Sequence, residues 1–259
     1  MGITGCALLA SVFGFLAMSL ALAEDDPACP SPGPGAGQVL VADRDRIVTG
    51  NSQEIVLAGI VAISDPLMSG PDGPEAPLPL PAAERFQLVA AGPPDRYGRT
   101  PMLAFDAGGE LLQARLLRAG RAVVRPGSGG TACTQALHAA EAAGRQAGAG
   151  LWRKPGIVAK ATDATSLSAR VGLYAVAEGR IVSIGYGSRM VFLDFGRNFR
   201  TDFTVMVQQS LVPRLLEAGI AVDSLAGRLV RVRGVIEESG GPAIRLTDPL
   251  ALEILDRAE

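Results

Sequence analysis

The sequence has few aromatic residues, a single histidine and almost no net charge. Aromatics make up 5% of the chain against 48% hydrophobic residues, so we expect cores built from leucine, valine, isoleucine and alanine. The formal net charge is −2. Proteins that bind nucleic acid without sequence preference are usually basic, because counterion release supplies most of their affinity. The overall charge therefore argues against a dedicated nucleic-acid-binding protein of that kind.

Charge is also missing from the amino terminus. Residues 1–23 contain no charged side chain, and the apolar run over residues 7–22 leads into the small-residue site Ala21-Leu22-Ala23. This order is typical of a secretory signal peptide, although no lysine or arginine precedes the run. A retained membrane anchor is the alternative, but the run is shorter than the ~20 residues that span a bilayer. We therefore expect cleavage, export to the periplasm or the medium, and no stable membrane insertion afterwards.

Only three cysteines are present, and removal of residues 1–23 would leave Cys29 and Cys133. In an oxidising compartment such a pair is a disulfide candidate. Two unpaired thiols are the alternative. A bond that closes a loop of roughly 100 residues stabilises a fold by about 4–5 kcal/mol in the entropic description.

The remainder is long enough for two domains of ~100–150 residues each. Two apolar, β-branched runs, residues 39–48 and 54–63, flank Gly50-Asn51-Ser52 and predict a β-hairpin. Residues 65–81 carry prolines at positions 66, 71, 74, 77, 79 and 81. Proline lacks a backbone donor, so this segment is predicted to hold neither a helix nor a central strand.

Further elements follow from the spacing of apolar residues. The first half continues with a strand pair at 86–90 and 102–105, a helix ending at Gly120, a short strand at 123–124 and a helix from about Thr134 to Trp152. An internal glycine, Gly144, weakens the prediction of that last helix. The second half predicts strands at 174–184, 189–195, 203–208, 229–235 and 243–247, with a helix at 211–218. Three strands, a helix and two strands are the order of an OB-type barrel.

Several short motifs resemble the staphylococcal nuclease (thermonuclease) family over residues 39–154. They are Leu57-Ala58-Gly59-Ile60, the turn Asp95-Arg96-Tyr97-Gly98-Arg99, the helix end at Gly120, and Gly150-Leu151-Trp152. The resemblance implies a five-stranded OB barrel that carries helices. The second half is similar to the OB-like module appended to some exported bacterial members. The expected fold class is therefore mainly β with helices, an α+β protein with two OB-type five-stranded barrels.

The expected organisation has five parts. They are a signal peptide (1–23), a leader (24–38), a nuclease-like OB domain (39–156), a linker (157–172) and a second OB-like domain (173–259).

The resemblance also implies a chemistry, the hydrolysis of phosphodiesters. In this family two aspartates hold a calcium ion, as suits a hard cation. A glutamate helps to remove a proton from the attacking water, and two arginines neutralise the charge that builds on the phosphate.

This chain keeps only part of that set. Asp45 stands at the first calcium aspartate and Arg99 at the second arginine. Val56 replaces the first arginine, Val61 the second aspartate and Ser64 the glutamate. Three of the five positions have therefore lost the group that the chemistry uses.

The surviving residues have ordinary interpretations as well. Asp45 is either a metal ligand or a solvated hairpin residue, and Arg99 either contacts phosphate or braces its own turn. Asp65, one residue beyond the glutamate position, could act as a substitute base, but such an offset usually points a side chain elsewhere. If the protein is active, its catalytic residues are Arg99, Asp45 and Asp65, with calcium on Asp45. Otherwise we expect no cofactor.

The second half concentrates arginines near aromatic residues. Arg180, Arg197 and Arg200 are the binding candidates, and Arg189, Arg231 and Arg233 belong to the same group, near Tyr186, Phe192, Phe195, Phe199 and Phe203. Arginines and aromatics on an OB surface can hold single-stranded nucleic acid. The alternative is that most of these phenylalanines are barrel core. His138 is expected to be a surface or partly buried side chain, with too few neighbouring ligands for a zinc site.

Three functions remain open at this stage. The first is a non-catalytic, exported binding or scaffold module, with nucleic acid or another phosphate-bearing molecule as a candidate ligand. The second is an active calcium-dependent nuclease with a rearranged site. The third is an interaction protein that binds no nucleic acid. The lost residues favour the first and third, and protein partners are not identified by the sequence.

Overall fold

The structure is a computed structural model that describes residues 29, 37–43, 46–51, 53–62, 84–127, 130–198 and 200–256. These residues form a mainly β protein with a few short helices, which contains one closed five-stranded barrel and a second multistranded sheet. The expected β-rich class with helices and a barrel is therefore confirmed. The predicted signal peptide (1–23), Asp45 and Asp65 lie outside the described residues. In the described part, no helix has the length and apolar composition needed to cross a membrane.

The first half of the chain builds the closed barrel. Its elements are β1 (Gln38–Asp43), β2 (Arg46–Thr49), β3 (Glu54–Leu57), β4 (Ile60–Val61), β5 (Arg85–Ala90), β6 (Thr100–Phe105), α1 (Leu112–Arg118), β7 (Val123–Val124), α2 (Gly130–Gln146) and a 3-10 turn (Gly150–Arg153). Around the barrel the order is β1-β2-β3-β6-β5, and β5 pairs with β1 to close it. β3 and β6 are parallel, while the other neighbours are antiparallel. β4 and β7 pair outside the barrel.

The predicted hairpin exists, but the first run is not one strand. β2 and β3 form the hairpin across residues 50–53. Residues 39–48 hold both β1 and β2, which pair with each other so that Asp43 lies opposite Arg46. Four charged residues (43–46) interrupt that run. A charged, aspartate-containing break between two apolar segments favours a turn over a continuous strand.

The two helices of the first half cover the barrel and cross each other closely. Leu112, Leu116 and Leu117 place one face of α1 in the barrel core, as their spacing predicts. Gly120 follows α1 with φ +63° and ends it as expected. Gly144 lies where α2 crosses α1, and a Cβ there would be 2.4 Å from the carbonyl oxygen of Leu117. The glycine that weakens the helix prediction therefore permits the helix packing.

The second half builds the larger sheet. Its elements are β8 (Val158–Lys160), α3 (Ala164–Ser168), β9 (Tyr174–Arg180), β10 (Ser183–Tyr186), β11 (Met190–Asp194), β12 (Thr204–Gln208), α4 (Val212–Glu217), β13 (Leu229–Ser239), β14 (Gly241–Leu246) and β15 (Leu252–Ile254), with 3-10 turns at Gln209–Leu211, Val222–Ser224 and Pro249–Ala251. The strand order is β10-β11-β12-β14-β13-β9-β8, and β15 also pairs with β13. β12 and β14 are parallel, as are β8 and β9.

Two predictions for this half differ from the structure. The run 174–184 divides into β9 and β10, because β9 pairs with β13 whereas β10 pairs with β11 on the other side of the sheet. The segment 157–172, predicted as a linker, instead supplies β8 and α3. Parallel strands need a crossover between them, and α3 provides it, with its first turn capped by Asp163 through a 3.0 Å hydrogen bond from the Ser166 amide.

The core of the second half follows the alternation of its strands. Leu193, Val205 and Ile244 face inward from neighbouring strands and are fully buried. Phe195 and Phe203 join them, with ring centroids 5.1 Å apart. These two phenylalanines are core residues and not part of a binding surface.

A disulfide between Cys29 and Cys133 confirms the predicted pair. The Cα atoms lie 4.5 Å apart, and the bond spans 104 residues of sequence. Cys133 is fully buried near the start of α2 beside Leu103 and Phe105. The bond thus attaches the leader to the surface of the first barrel.

Candidate functional sites

Arg99 sits in a tight turn whose side chains bind it from two sides. The Asp95 carboxylate accepts hydrogen bonds from the backbone amides of Tyr97 and Arg99, at 2.9 and 3.0 Å, which fixes the turn. The same carboxylate accepts from Arg99 Nε at 2.9 Å and lies 2.8 Å from a terminal nitrogen of Arg99. Glu54 Oε1 lies 3.7 Å from the other terminal nitrogen. The hydrogen bond to Asp95 raises the pKa of Arg99 above its ordinary value.

This geometry favours one of the two interpretations of Arg99, the brace on its own turn. A guanidinium that binds phosphate needs donors free to form the paired hydrogen bonds of that contact. In the structure, two acidic side chains engage the Arg99 guanidinium. Arg99 therefore braces its own turn, and the local charge opposes an approaching phosphate.

The two described positions at which the nuclease-like motif is lost serve packing. Val56 lies on β3, half-buried beside Pro101 of β6. Val61 pairs with Val123 and packs against the apolar cluster that includes Leu151 and Val176. Since Val176 belongs to β9, Val61 helps to join the two halves of the protein. An aspartate there would place a carboxylate in an apolar contact, at a substantial desolvation cost.

The described residues do not fit a calcium site. Calcium takes about 6–8 oxygen ligands, several of them carboxylate. Within the described ranges, no group of three or more histidine, cysteine, aspartate or glutamate side chains could hold a metal ion. Asp45 and Asp65 lie outside those ranges. Val61 contributes no oxygen from its side chain, so this position offers a calcium ion no side-chain ligand.

The arginine candidates of the second half do not meet at one place. Arg180 ends β9 beside Leu229, where it donates to the Gly227 carbonyl and to Asp256 at 2.8 and 2.9 Å. Arg197 and Arg200 are exposed in the loop after β11, and Arg200 lies near Gly240, at the opposite end of β13. The length of β13 therefore separates Arg180 from the other two, and the three do not form one binding patch.

Two further arginines of that group are buried between the halves of the protein. The Arg233 side chain is fully buried, and one terminal nitrogen lies 2.9 Å from Glu141 Oε2 of α2. Its other terminal nitrogen binds Glu253 of β15. Arg231 binds Glu178 at 2.6 Å and Glu253 at 3.4 Å. These arginines hold the fold together and are not available to a ligand.

The charges around Arg233 balance one another. Burial alone would lower the pKa of Arg233, but the carboxylates of Glu141 and Glu253 outweigh it and keep that pKa above its ordinary value. His138 lies in the same place, with Nε2 at 3.0 Å from the Leu250 carbonyl oxygen and Nδ1 at 3.7 Å from Glu253. Burial, together with the charge of Arg233, lowers the pKa of His138 despite that carboxylate. His138 is thus a contact between the two halves whose surroundings disfavour the charged imidazolium.

A groove on the outer face of the second sheet is a site that the sequence does not single out. Its volume is about 450 Å³, and we call it the aromatic groove, lined by Gly185, Tyr186, Phe192, Asp194, Thr204, Met206, Ser239 and Ala243. Tyr186 is 61% exposed, whereas Asp194 is 9% exposed and lies in the groove wall. The alternation in β11 gives the signal for this site, because Phe192 and Asp194 share the face opposite to the core residues Val191 and Leu193.

Comparison with the family models gives no match, and comparison with the curated proteins gives no significant match.

Proposed function

We propose that this protein is an exported, nuclease-like binding or scaffold module that does not hydrolyse phosphodiesters. The observation that carries the proposal is the state of Arg99. This arginine is the one catalytic-type cation that the nuclease resemblance retains, and both Asp95 and Glu54 engage it. Removal of one donor to a developing charge costs about 10²–10³ in rate.

The proposal includes two OB-type barrels. In each half, the strands follow the pairing order first-second-third-fifth-fourth. The pairs β3–β6 and β12–β14 are the parallel third–fifth contacts. In the second half, β9 and β10 together take the place of the first strand, which pairs with both the fourth and the second. This order is the one expected for an OB barrel.

Export is part of the same proposal. Its support is the apolar amino-terminal run with its small-residue site, together with the Cys29–Cys133 bond, since disulfides persist in oxidising compartments. Among the ligands, nucleic acid is not favoured by the charge. The net charge is −2, and acidic partners occupy Arg180, Arg231 and Arg233.

Calcium linkage tests the proposal through the metal that hydrolysis would need. A ligand at ~100 times its Kd stabilises the native state by ~2.7 kcal/mol. For a domain of ~150–250 residues, each kcal/mol raises Tm by ~2–4 °C. A site with a Kd of ~0.1 mM would therefore raise Tm by about 5–10 °C in ~10 mM calcium.

We expect no rise in Tm beyond that given by the same concentration of magnesium. The matched variant is Asp45→Ala, which removes the one carboxylate that the resemblance assigns to calcium. A calcium-specific rise in the wild type that Asp45→Ala abolishes would overturn the proposal.

A further inference from the structure

The aromatic groove combines one aromatic ring, an apolar floor and one carboxylate. Phe192 of β11 lies opposite Gly185 on one side and Met206 on the other, so the three share a row across the sheet. Gly185 has no side chain to cover the edge of Phe192 next to β10. Tyr186, opposite Val191, belongs to the other face of the sheet, where its hydroxyl donates to Asp223, so it borders the groove without adding a ring to it. The groove is therefore open towards β10 and closed below by Met206 and Ala243, which are buried.

Asp194 is the one charged residue in the lining. Its oxygens accept from Thr204 Oγ1 at 2.9 Å and, more weakly, from Ser183 Oγ at 3.4 Å. Both donors are neutral, and no lysine or arginine in the described ranges makes an ion pair with this carboxylate. A largely buried carboxylate that has no cationic partner attracts a positively charged ligand, because the ion pair is electrostatically favourable.

The chemistry of the lining selects a cation on an apolar stem. Ammonium and guanidinium groups bind the faces of aromatic rings within ~6 Å of the centroid. The aliphatic stem of lysine or arginine packs on apolar surface while its charged end reaches a polar partner. Phe192 provides the ring, Met206 and Ala243 the apolar surface, and Asp194 the polar partner.

A phosphate-bearing ligand fits the aromatic groove less well, because the only formal charge in its lining is negative. Arg189 and Arg245 line part of a separate groove of about 560 Å³. Arg245 lies 3.2 Å from the carboxylate of Glu237. The charge within the lining of the aromatic groove therefore favours a cation over a nucleotide.

The position of β10 in the sheet indicates how the cationic group of a ligand would reach the aromatic groove. β10 is the terminal strand of the sheet, paired with β11 on one side and with no second partner in the described part of the chain. An open strand edge accepts an extended peptide through backbone hydrogen bonds. In an added strand, alternate side chains point to the groove face. One beside Gly185 meets no side chain on β10 before it reaches Phe192, and Asp194 lies in the next row of the same face, opposite Ser183.

We propose that the aromatic groove receives the lysine or arginine side chain of an extended basic peptide that pairs with the free edge of β10. This inference rests on the proposed binding role and names the ligand class for it. The partner is thus a protein with an exposed, extended segment that carries a basic residue between β-forming neighbours.

The test uses synthetic peptides and the full mature protein. The probe is acetyl-Thr-Val-Arg-Val-Thr-amide, and the matched peptide replaces its arginine with norleucine, which keeps the stem and removes the charge. Affinities come from calorimetry or from amide chemical shifts. We expect the arginine peptide to bind at least about tenfold more tightly than the norleucine peptide, the effect of one charge-assisted contact.

Variants then assign the site. Phe192→Ala removes the ring of the groove and Asp194→Asn removes the charge while keeping an acceptor for Thr204, and each should weaken arginine-peptide binding about tenfold or more. Tyr97→Ala, which removes a ring from the first barrel, should leave binding unchanged. Unfolding midpoints of all three variants establish that the fold is kept.

Four results would overturn the inference. Three are equal affinity for the arginine and norleucine peptides, binding that Phe192→Ala and Asp194→Asn leave unchanged, and single-stranded oligonucleotide binding that Phe192→Ala abolishes. The fourth is free arginine amide that binds as tightly as the peptide, because the β10 edge would then contribute nothing. None of these results depends on calcium or on cleavage, so failure of this inference is distinct from failure of the proposed function.

Discussion

The buried contact between Arg233 and Glu141 gives the sharpest prediction about what joins the two halves. Arg233→Met keeps most of the apolar stem and removes the charge. Glu141 would then be left 1% exposed, with the Val124 amide at 2.6 Å and Arg145 at 3.1 Å as its remaining partners. Removal of one member of a buried ion pair typically costs about 3–5 kcal/mol, because the other charge stays buried.

That cost is a large part of the about 5–15 kcal/mol that stabilises most proteins. We expect the urea unfolding midpoint of Arg233→Met to fall accordingly, provided that unfolding remains two-state. The matched control is Arg245→Met, which breaks a pair with Glu237 whose side chains are 39% and 41% exposed. A surface pair of this kind is worth about 0–1 kcal/mol.

A double variant tests the reason for the loss. Glu141→Gln removes the buried charge that Arg233 no longer balances and still accepts from the Val124 amide, so it should recover part of the loss caused by Arg233→Met. Coupling of about 0.5–3 kcal/mol is typical of residues in one network. A single-variant loss equal to that of Arg245→Met, or strictly additive losses in the double variant, would refute the reasoning.

Three further predictions concern stability. Reduction of the Cys29–Cys133 bond should lower the free energy of unfolding by up to about 4–5 kcal/mol, and peptide mapping without reductant should recover the linked pair. Gly144→Ala should destabilise the protein by about 1–3 kcal/mol through overpacking of α1 against α2, whereas Gln135→Ala on the exposed face of α2 should stay within ~0.5 kcal/mol; equal effects would contradict the crossing. Burial acts to raise the pKa of Glu253, but nearby positive charges outweigh it and hold that pKa below 4.5. The unfolded state therefore binds more protons than the folded state. The stability that Glu253 contributes above about pH 4.5 is lost as the pH falls through its folded-state pKa. Glu253→Gln should flatten the fall of the urea midpoint with pH in this range, and an unchanged slope would contradict the assignment.

Sequence patterns predict the strands best where apolar residues alternate beside a clear turn. β5 and β6, β11 and β12, and the helix end at Gly120 are in this class. Sequence patterns do not predict that residues 39–48 divide into two strands. In a window of apolar residues, a short charged break resembles the exposed positions of a single strand. The strand and helix within residues 157–172 are not predicted by sequence patterns, because small and polar residues carry little periodic signal.

The sequence also predicts some features of the site residues and not others. A motif predicts that Arg99 lies in a turn, but the turn alone does not reveal that Glu54, 45 residues earlier, reaches the same guanidinium. Arg231 and Arg233 alternate with valines as the exposed face of a strand does. They are buried because α2 and β15 cover that face with carboxylates, and only tertiary structure brings those carboxylates there. Asp194 gave no sequence signal beyond its place in β11.

The most direct test of the central claim is the initial rate of cleavage of single-stranded DNA and RNA by the mature protein. The lost base and the engaged arginine together predict a rate at least ~10⁴ below that of an active member of the resembled family. We therefore expect equal rates with calcium and with a chelator, at the level of the buffer. Calcium-dependent cleavage that both Arg99→Ala and Asp45→Ala abolish would contradict the account and show that the protein is a nuclease.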